Sequence, residues 1–181
     1  MIDLAKKGQS WELMQVREVH CGASGIWRYH ATSLVNLYSF IGEGSIVWAF
    51  SHVRECVRLG QRVSIGEHCY IGEGVEIGDD SRVGNGVSVW SGVTIGQRVF
   101  VGPHVCFAND KHPRIGEEWE PLKTVVKDDV SIGVGAIILP GLTIGKGATI
   151  GAGAIVTRDI MPGETWMGMP ARMVERGEVP A

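Results

Sequence analysis

The segment Asn109-Asp110-Lys111-His112-Pro113-Arg114 packs hydrogen-bonding and titratable side chains into six residues. A histidine in such a setting suits proton transfer, since an imidazole titrates near about 6.5 and can accept a proton from an attacking amine or hydroxyl. His112 is therefore the candidate general base, with His104 as a second. Trp48, Phe50 and His52 form a separate aromatic group in Val47-Trp48-Ala49-Phe50-Ser51-His52-Val53. Outward rings of this kind serve either subunit packing or the stacking of a planar base. The histidines (His20, His30, His52, His68, His104 and His112) include no H-x4-H pair, and the four cysteines include no CxxC. No metal site is expected from either set.

These residues need elements to position them, and the composition says which kind. Glycine supplies 26 of 181 residues, about twice its usual share of roughly 7%. Val and Ile together greatly outnumber Leu, which favours extended chain over helix. Every sixth residue from Val35 through Ile41, Val47 and Val53 to Phe107 is Val, Ile, Leu or Phe, and the spacing returns from Val126 to Val156. The chance of the first run is on the order of 10⁻⁷ for this composition. The residue after the apolar one is usually Gly, as at Gly42, Gly60, Gly66, Gly72, Gly78 and Gly84.

Period six fits a short strand and a tight corner, with the apolar side chain inward and Gly permitting the backbone angles at or beside the corner. Three such sides close an 18-residue coil, and successive coils stack as parallel strands about 4.8 Å apart. About six triangular coils are expected. Residues 18 apart then form columns: His68, Gly86 and His104 share one, with Asn85 beside it. Another holds Glu55, Glu73, Ser91 and Asn109, with Asp110 adjacent. Residues 1–28 precede the rhythm and contain an amphipathic stretch (Leu13, Val16, Val19) that reads as a helix or a capping strand. The β-helix is expected over 29–160, with an inserted loop at 108–124. A tail follows at 161–181. A polar loop breaking a regular solenoid points to function.

The net charge of −3 and pI near 6.1 provide no basic footprint for nucleic acid or an anionic membrane. No apolar run reaches the roughly 18 residues of a membrane span, and the N-terminus lacks a signal-peptide core. A cytoplasmic location with reduced thiols is the expectation.

The [LIV]-G-x-x-x-x pattern resembles the hexapeptide repeat of left-handed parallel β-helices, and the left hand comes from that resemblance alone. The γ-class carbonic anhydrases of this architecture need the histidine spacing that is missing here. Longer stretches resemble the nucleotide-linked amino-sugar N-acetyltransferases: His30-Ala31-Thr32, Ile46 to His52, Asn85 to Trp90, Asn109 to Arg114, and Gly168-Met169-Pro170-Ala171-Arg172. The resemblance covers residues 30–174. It implies a homotrimer in which acetyl-CoA and a nucleotide-linked amino sugar meet between subunits. It implies that Asn85 lies at the acyl-transfer centre and that Asn109 and Asp110 hold the sugar. Trp48 and His52 would face the nucleotide, with Glu73, Ser91, Lys111 and Arg114 nearby. Gly133, Lys146, Gly151, Arg158 and Arg172 are the candidate CoA contacts. In such enzymes the neutral amine can attack directly, which makes His112 an orienting group as readily as a base. Ser91 departs from the pattern, where an acidic residue is usual. The alternatives are O-acetyl transfer with a histidine base, or a non-catalytic assembly protein that kept the solenoid.

Overall fold

The computed structural model describes residues 15–20, 25–117 and 119–174. All the elements it shows there are β-strands, most of them only two residues long. No helix among the described residues is long and apolar enough to cross a membrane. Most strands pair in parallel with the strand 18 residues later, as in Ile46↔Ser64 and Ser64↔Arg82. Three sheets result, which we call the first face (ten strands), the second face (seven) and the third face (six). The chain visits them in turn: Ser64–Ile65 lies on the first, Tyr70–Ile71 on the second and Glu76–Ile77 on the third. This is a parallel β-solenoid.

Inward residues explain why so short a strand holds. Val47, Ile65, Val101 and Ile132 on the first face, Val53, Ile71, Val89 and Phe107 on the second, and Leu59 and Ile144 on the third are fully buried. Such burial contributes roughly 1.5–3 kcal/mol for each side chain. Buried serines take the place of small apolar residues in several corners, and the wall satisfies them. The Ser81 hydroxyl, for one, donates to the Gly96 carbonyl (2.9 Å) and accepts from the Val99 N–H (3.1 Å).

Two expectations need correction. The first concerns coil number. The first face carries eight parallel strands between its two antiparallel ends, so the chain winds about eight times along that face rather than six. The added strands, Ile26–His30 and Thr165–Met167, point Trp27 and Trp166 toward the core. An aliphatic-and-glycine pattern passes over them. The second concerns glycine. The left-handed backbone lies two residues beyond the repeat glycines, at positions such as His68 (φ 56°), Gly86 (69°) and His104 (58°), and likewise at Phe50 (58°), where Trp48 stands in place of the glycine. Gly66 has an ordinary φ and is required by close approach: a Cβ there would stand 2.7 Å from the Asn85 nitrogen in the next coil.

Val16–His20 runs antiparallel to Ile26–His30 at one end of the first face, and Arg172–Val174 runs antiparallel to Thr165–Met167 at the other. The stretch around Val16 and Val19 is thus a strand, while Leu13 lies outside the described residues. The insertion occupies the corner between the second and third faces. It leaves after Cys106–Phe107, and Thr124–Val126 rejoins the ladder opposite Val93–Ile95. Register survives the insertion: Phe100 pairs with Ser131, 31 residues on instead of 18.

Candidate active site

Three corner columns run the length of the prism, and their chemistry differs. The corner from the third face to the first is a ladder of opposite charges. Arg62 forks onto Asp80 (2.6 and 2.8 Å) and Arg98 onto Asp129 (2.6 and 3.1 Å), with Lys146 joining Asp129 at 3.5 Å. Hydrogen bonds from the two arginines hold both carboxyls below the ordinary aspartate value. Lys146 therefore already has a partner, one corner away from Asn85.

The corner between the second and third faces holds Glu55, Glu73, Ser91 and the root of the inserted loop. Arg54 pairs with Glu55 through two short bonds (2.6 and 2.9 Å), and this donation pulls the Glu55 carboxyl down to about 2. Glu73 is exposed and Ser91 half-buried. The Asn109 carbonyl accepts from Leu122 N–H (2.9 Å), which closes the loop, and the Asp110 carboxylate accepts from His112 N–H (2.8 Å). Lys111, His112 and Arg114 are exposed, and none bonds through its side chain among the described residues. Among the described residues His112 thus has no carboxylate to orient its ring. Arg158 is exposed at the far end of this corner.

Between the first and second faces lies the corner that holds Asn85, together with Trp48, Gly133, Gly151 and Arg172. Asn85 sits in the turn from Arg82–Val83 to Ser88–Val89, and its amide oxygen accepts from Glu67 N–H one coil earlier (3.0 Å). That bond fixes the flip of the amide, so the NH2 group of Asn85 is left free to act as a donor. The His104 N–H donates to the Asn85 carbonyl (2.8 Å), and its imidazole lies over Gly86, where a Cβ would collide with the ring. Phe50 stacks on His68 at 4.9 Å with planes 15° apart, and His30 lies 6.4 Å beyond Phe50. Trp48 is half-buried beside Phe50 and Glu67 in a groove of about 520 Å³. Further along the same corner stand Gly133 and Gly151. A Cβ on Gly151 would lie 2.7 Å from Cβ of Met167, the ladder partner of Arg172.

Asn85, Trp48, Gly133, Gly151 and Arg172 thus share one edge of the second face. Asn109, Asp110 and His112 stand at its opposite edge, a full side of the triangle away within one chain. His52 lies on the face itself, edge-on to Tyr70 (5.8 Å), which in turn tilts against Trp90 (4.7 Å). Trp48 and His52 therefore flank one corner from two sides. Glu67 and His68 are the residues that sequence reasoning undervalued. The signal was available: 18-residue register puts Glu67 directly before Asn85. Burial raises the thiols of Cys69 and Cys106, so neither is an activated nucleophile.

Residues 56–91 match the family described as "Hexapeptide repeat of succinyl-transferase". A 2,3,4,5-tetrahydropyridine-2,6-dicarboxylate N-acetyltransferase of Staphylococcus aureus is 46% identical over 52 residues, which are 29% of this chain and 22% of that protein. The chain thus spans about a quarter of the length of the curated relatives it matches. A hexapeptide-repeat acetyltransferase of Vibrio cholerae, solved with acetyl coenzyme A, is 28% identical with a TM-score of 0.50 over 61% of this chain and 69% of that one. The GDP-perosamine N-acetyltransferase of Caulobacter crescentus, solved as a histidine-to-alanine mutant with CoA and GDP-perosamine, shares the fold. Its TM-score is 0.61 at 23% identity, covering 84% of this chain and 58% of that one. Residues 38–73, 74–109 and 123–158, well over half of the chain, match the pattern of the "Bacterial transferase hexapeptide (six repeats)" family, and to that family the chain belongs.

Proposed function

We propose that the protein is an acetyl-CoA-dependent N-acetyltransferase whose acceptor is the amino group of a nucleotide-linked sugar. One observation carries the reading: the Asn85 amide is pinned by Glu67 N–H and keeps its NH2 free at a corner edge. A pre-aligned donor of this kind stabilises the oxyanion of a tetrahedral acyl-transfer intermediate without reorganising. The kinship with acetyltransferases, one of them solved with acetyl coenzyme A, supports acetyl-CoA as co-substrate. Gly133, Gly151 and Arg172 lie on the Asn85 corner and are the better candidates for its binding. Lys146 and Arg158 occupy other corners.

The proposed reaction needs no protein nucleophile. The neutral amine attacks the thioester carbonyl, Asn85 holds the oxyanion, and the departing CoA sulfur takes the proton as the thioester C–S bond breaks. In this reading the coil is left-handed and three chains associate. Asn109 and Asp110 of one chain then face Asn85 of a neighbour and hold the sugar, so a complete site takes two chains. Trp48 and His52 flank the nucleotide.

The test is thiol release from acetyl-CoA with a panel of UDP- and dTDP-linked 3-amino sugars beside their hydroxyl counterparts. Turnover with amines and a rate rising toward pH 8–9 are expected, as the acceptor loses its proton. Turnover confined to the hydroxyl sugars would replace this reading with O-acetyl transfer.

A further inference from the structure

The groove beside Asn85 contains a carboxylate that the fold does not use. Asp79 and Asp128 occupy equivalent turn positions, and each accepts a backbone N–H from the preceding coil: Gln61 at 2.8 Å and Gln97 at 3.0 Å. Asn85 does the same for Glu67. The Glu67 side chain has no such bond and no ion pair among the described residues, although it lines the groove. The other walls are the rings of Trp48, Phe50 and His30 together with Gln15 and Ala49, and the Thr32 hydroxyl is held by the His30 imidazole at 2.8 Å. Phe50 keeps a left-handed backbone in a column that later coils fill with His68, Gly86, His104, Gly135 and Gly153. That conformation is unfavourable for a bulky side chain. Aromatic faces around an unpaired carboxylate attract a soft cation far better than a neutral molecule of equal size.

We propose that this groove is an organic-cation subsite, which holds an alkylammonium group against Trp48 with Glu67 as counter-ion. That the cation belongs to the acetyl acceptor rests on the acyl-transfer reading above, since the groove lies one coil from Asn85; Trp48 then serves that cation, and His52 is left to the nucleotide. The cation site itself stands on the groove alone.

Tetramethylammonium and tert-butyl alcohol, a neutral molecule with the same number of heavy atoms in the same tetrahedral arrangement, separate charge from shape. Binding of each would be followed by tryptophan fluorescence and ligand-observed NMR at pH 8 in moderate salt. The cation is expected to bind about tenfold or more tighter than the alcohol, and Glu67→Gln to remove most of that preference. Glu67 is exposed, and its backbone N–H still reaches Asn85, so the variant should melt with the wild type. Trp48→Leu should weaken the cation with little effect on the alcohol. Equal binding of the two probes, no binding of either, or a preference indifferent to Glu67→Gln would overturn the proposal. Cation binding intact while no amine acceptor turns over would instead sink the acyl-transfer reading.

Discussion

Asn85 combines two functions that one substitution separates. Its amide oxygen caps Glu67 N–H, a structural task that Asp79 and Asp128 perform with carboxylates at equivalent turns. Its NH2 group is the proposed oxyanion donor. Asn85→Asp keeps the cap and removes the donor, so kcat should fall by roughly 10²–10³ while the melting temperature stays near wild type. Equal losses in both would make Asn85 purely structural. His112→Ala should lower kcat by less than about tenfold, because a solvent-facing ring with no orienting partner is a poor base. The residue types were readable in the sequence, but their employment was not. The string does distinguish the capping residues Asp79, Asn85 and Asp128 from Glu67, whose side chain is one methylene longer, but only the structure shows that the shorter ones bend back onto the coil before them.

At the scale of the element, the repeat was legible because inward positions tolerate only aliphatic or aromatic side chains at a spacing of six. The reason for its glycines was not legible, since it depends on the neighbouring coil. Gly66→Ala would drive a methyl group into the Asn85 backbone and should cost on the order of 1–3 kcal/mol in denaturant unfolding. It should also impair catalysis by displacing Asn85. Gly86→Ala would meet the His104 ring, a side chain able to move, and suffers mainly from its left-handed φ. Ser81→Ala removes the partner of both the Gly96 carbonyl and the Val99 N–H inside the wall. About 1–3 kcal/mol should be lost in the same measurement.

Over the whole molecule, Glu55, Asp80 and Asp129 link stability to acidity. Each carboxyl titrates lower in the folded chain than in the unfolded one, so the unfolded chain binds protons first as pH falls. Their contribution is present above the ordinary carboxylate range and lost below it, for Glu55 between 4.5 and about 2. Thermal midpoints should therefore drop through that acid window, less steeply in Asp129→Asn and in high salt, which screens exposed pairs. The proposed association of chains would have its own signature. Because Asn85 and Asp110 stand at opposite edges of the second face, mixed oligomers of Asn85→Asp and Asp110→Ala should recover activity that neither variant has alone. Failure of mixed oligomers to recover it would mean that each chain builds its site unaided. The number of windings was underestimated from sequence because the terminal ones are closed by tryptophans.

The 18-residue pairing of the coils before the insertion also makes that part of the prism divisible into interchangeable storeys. Excising one whole storey, residues 54–71, would rejoin Val53 to Gly72 without changing which residues point inward. Such a shortened chain should still fold as a solenoid. Yet Phe50 would then stand directly below Gly86, and both Glu67 and His68 would be gone. Length and chemistry are separable in this architecture: the building can lose a floor and stand, while the room that spanned two floors disappears.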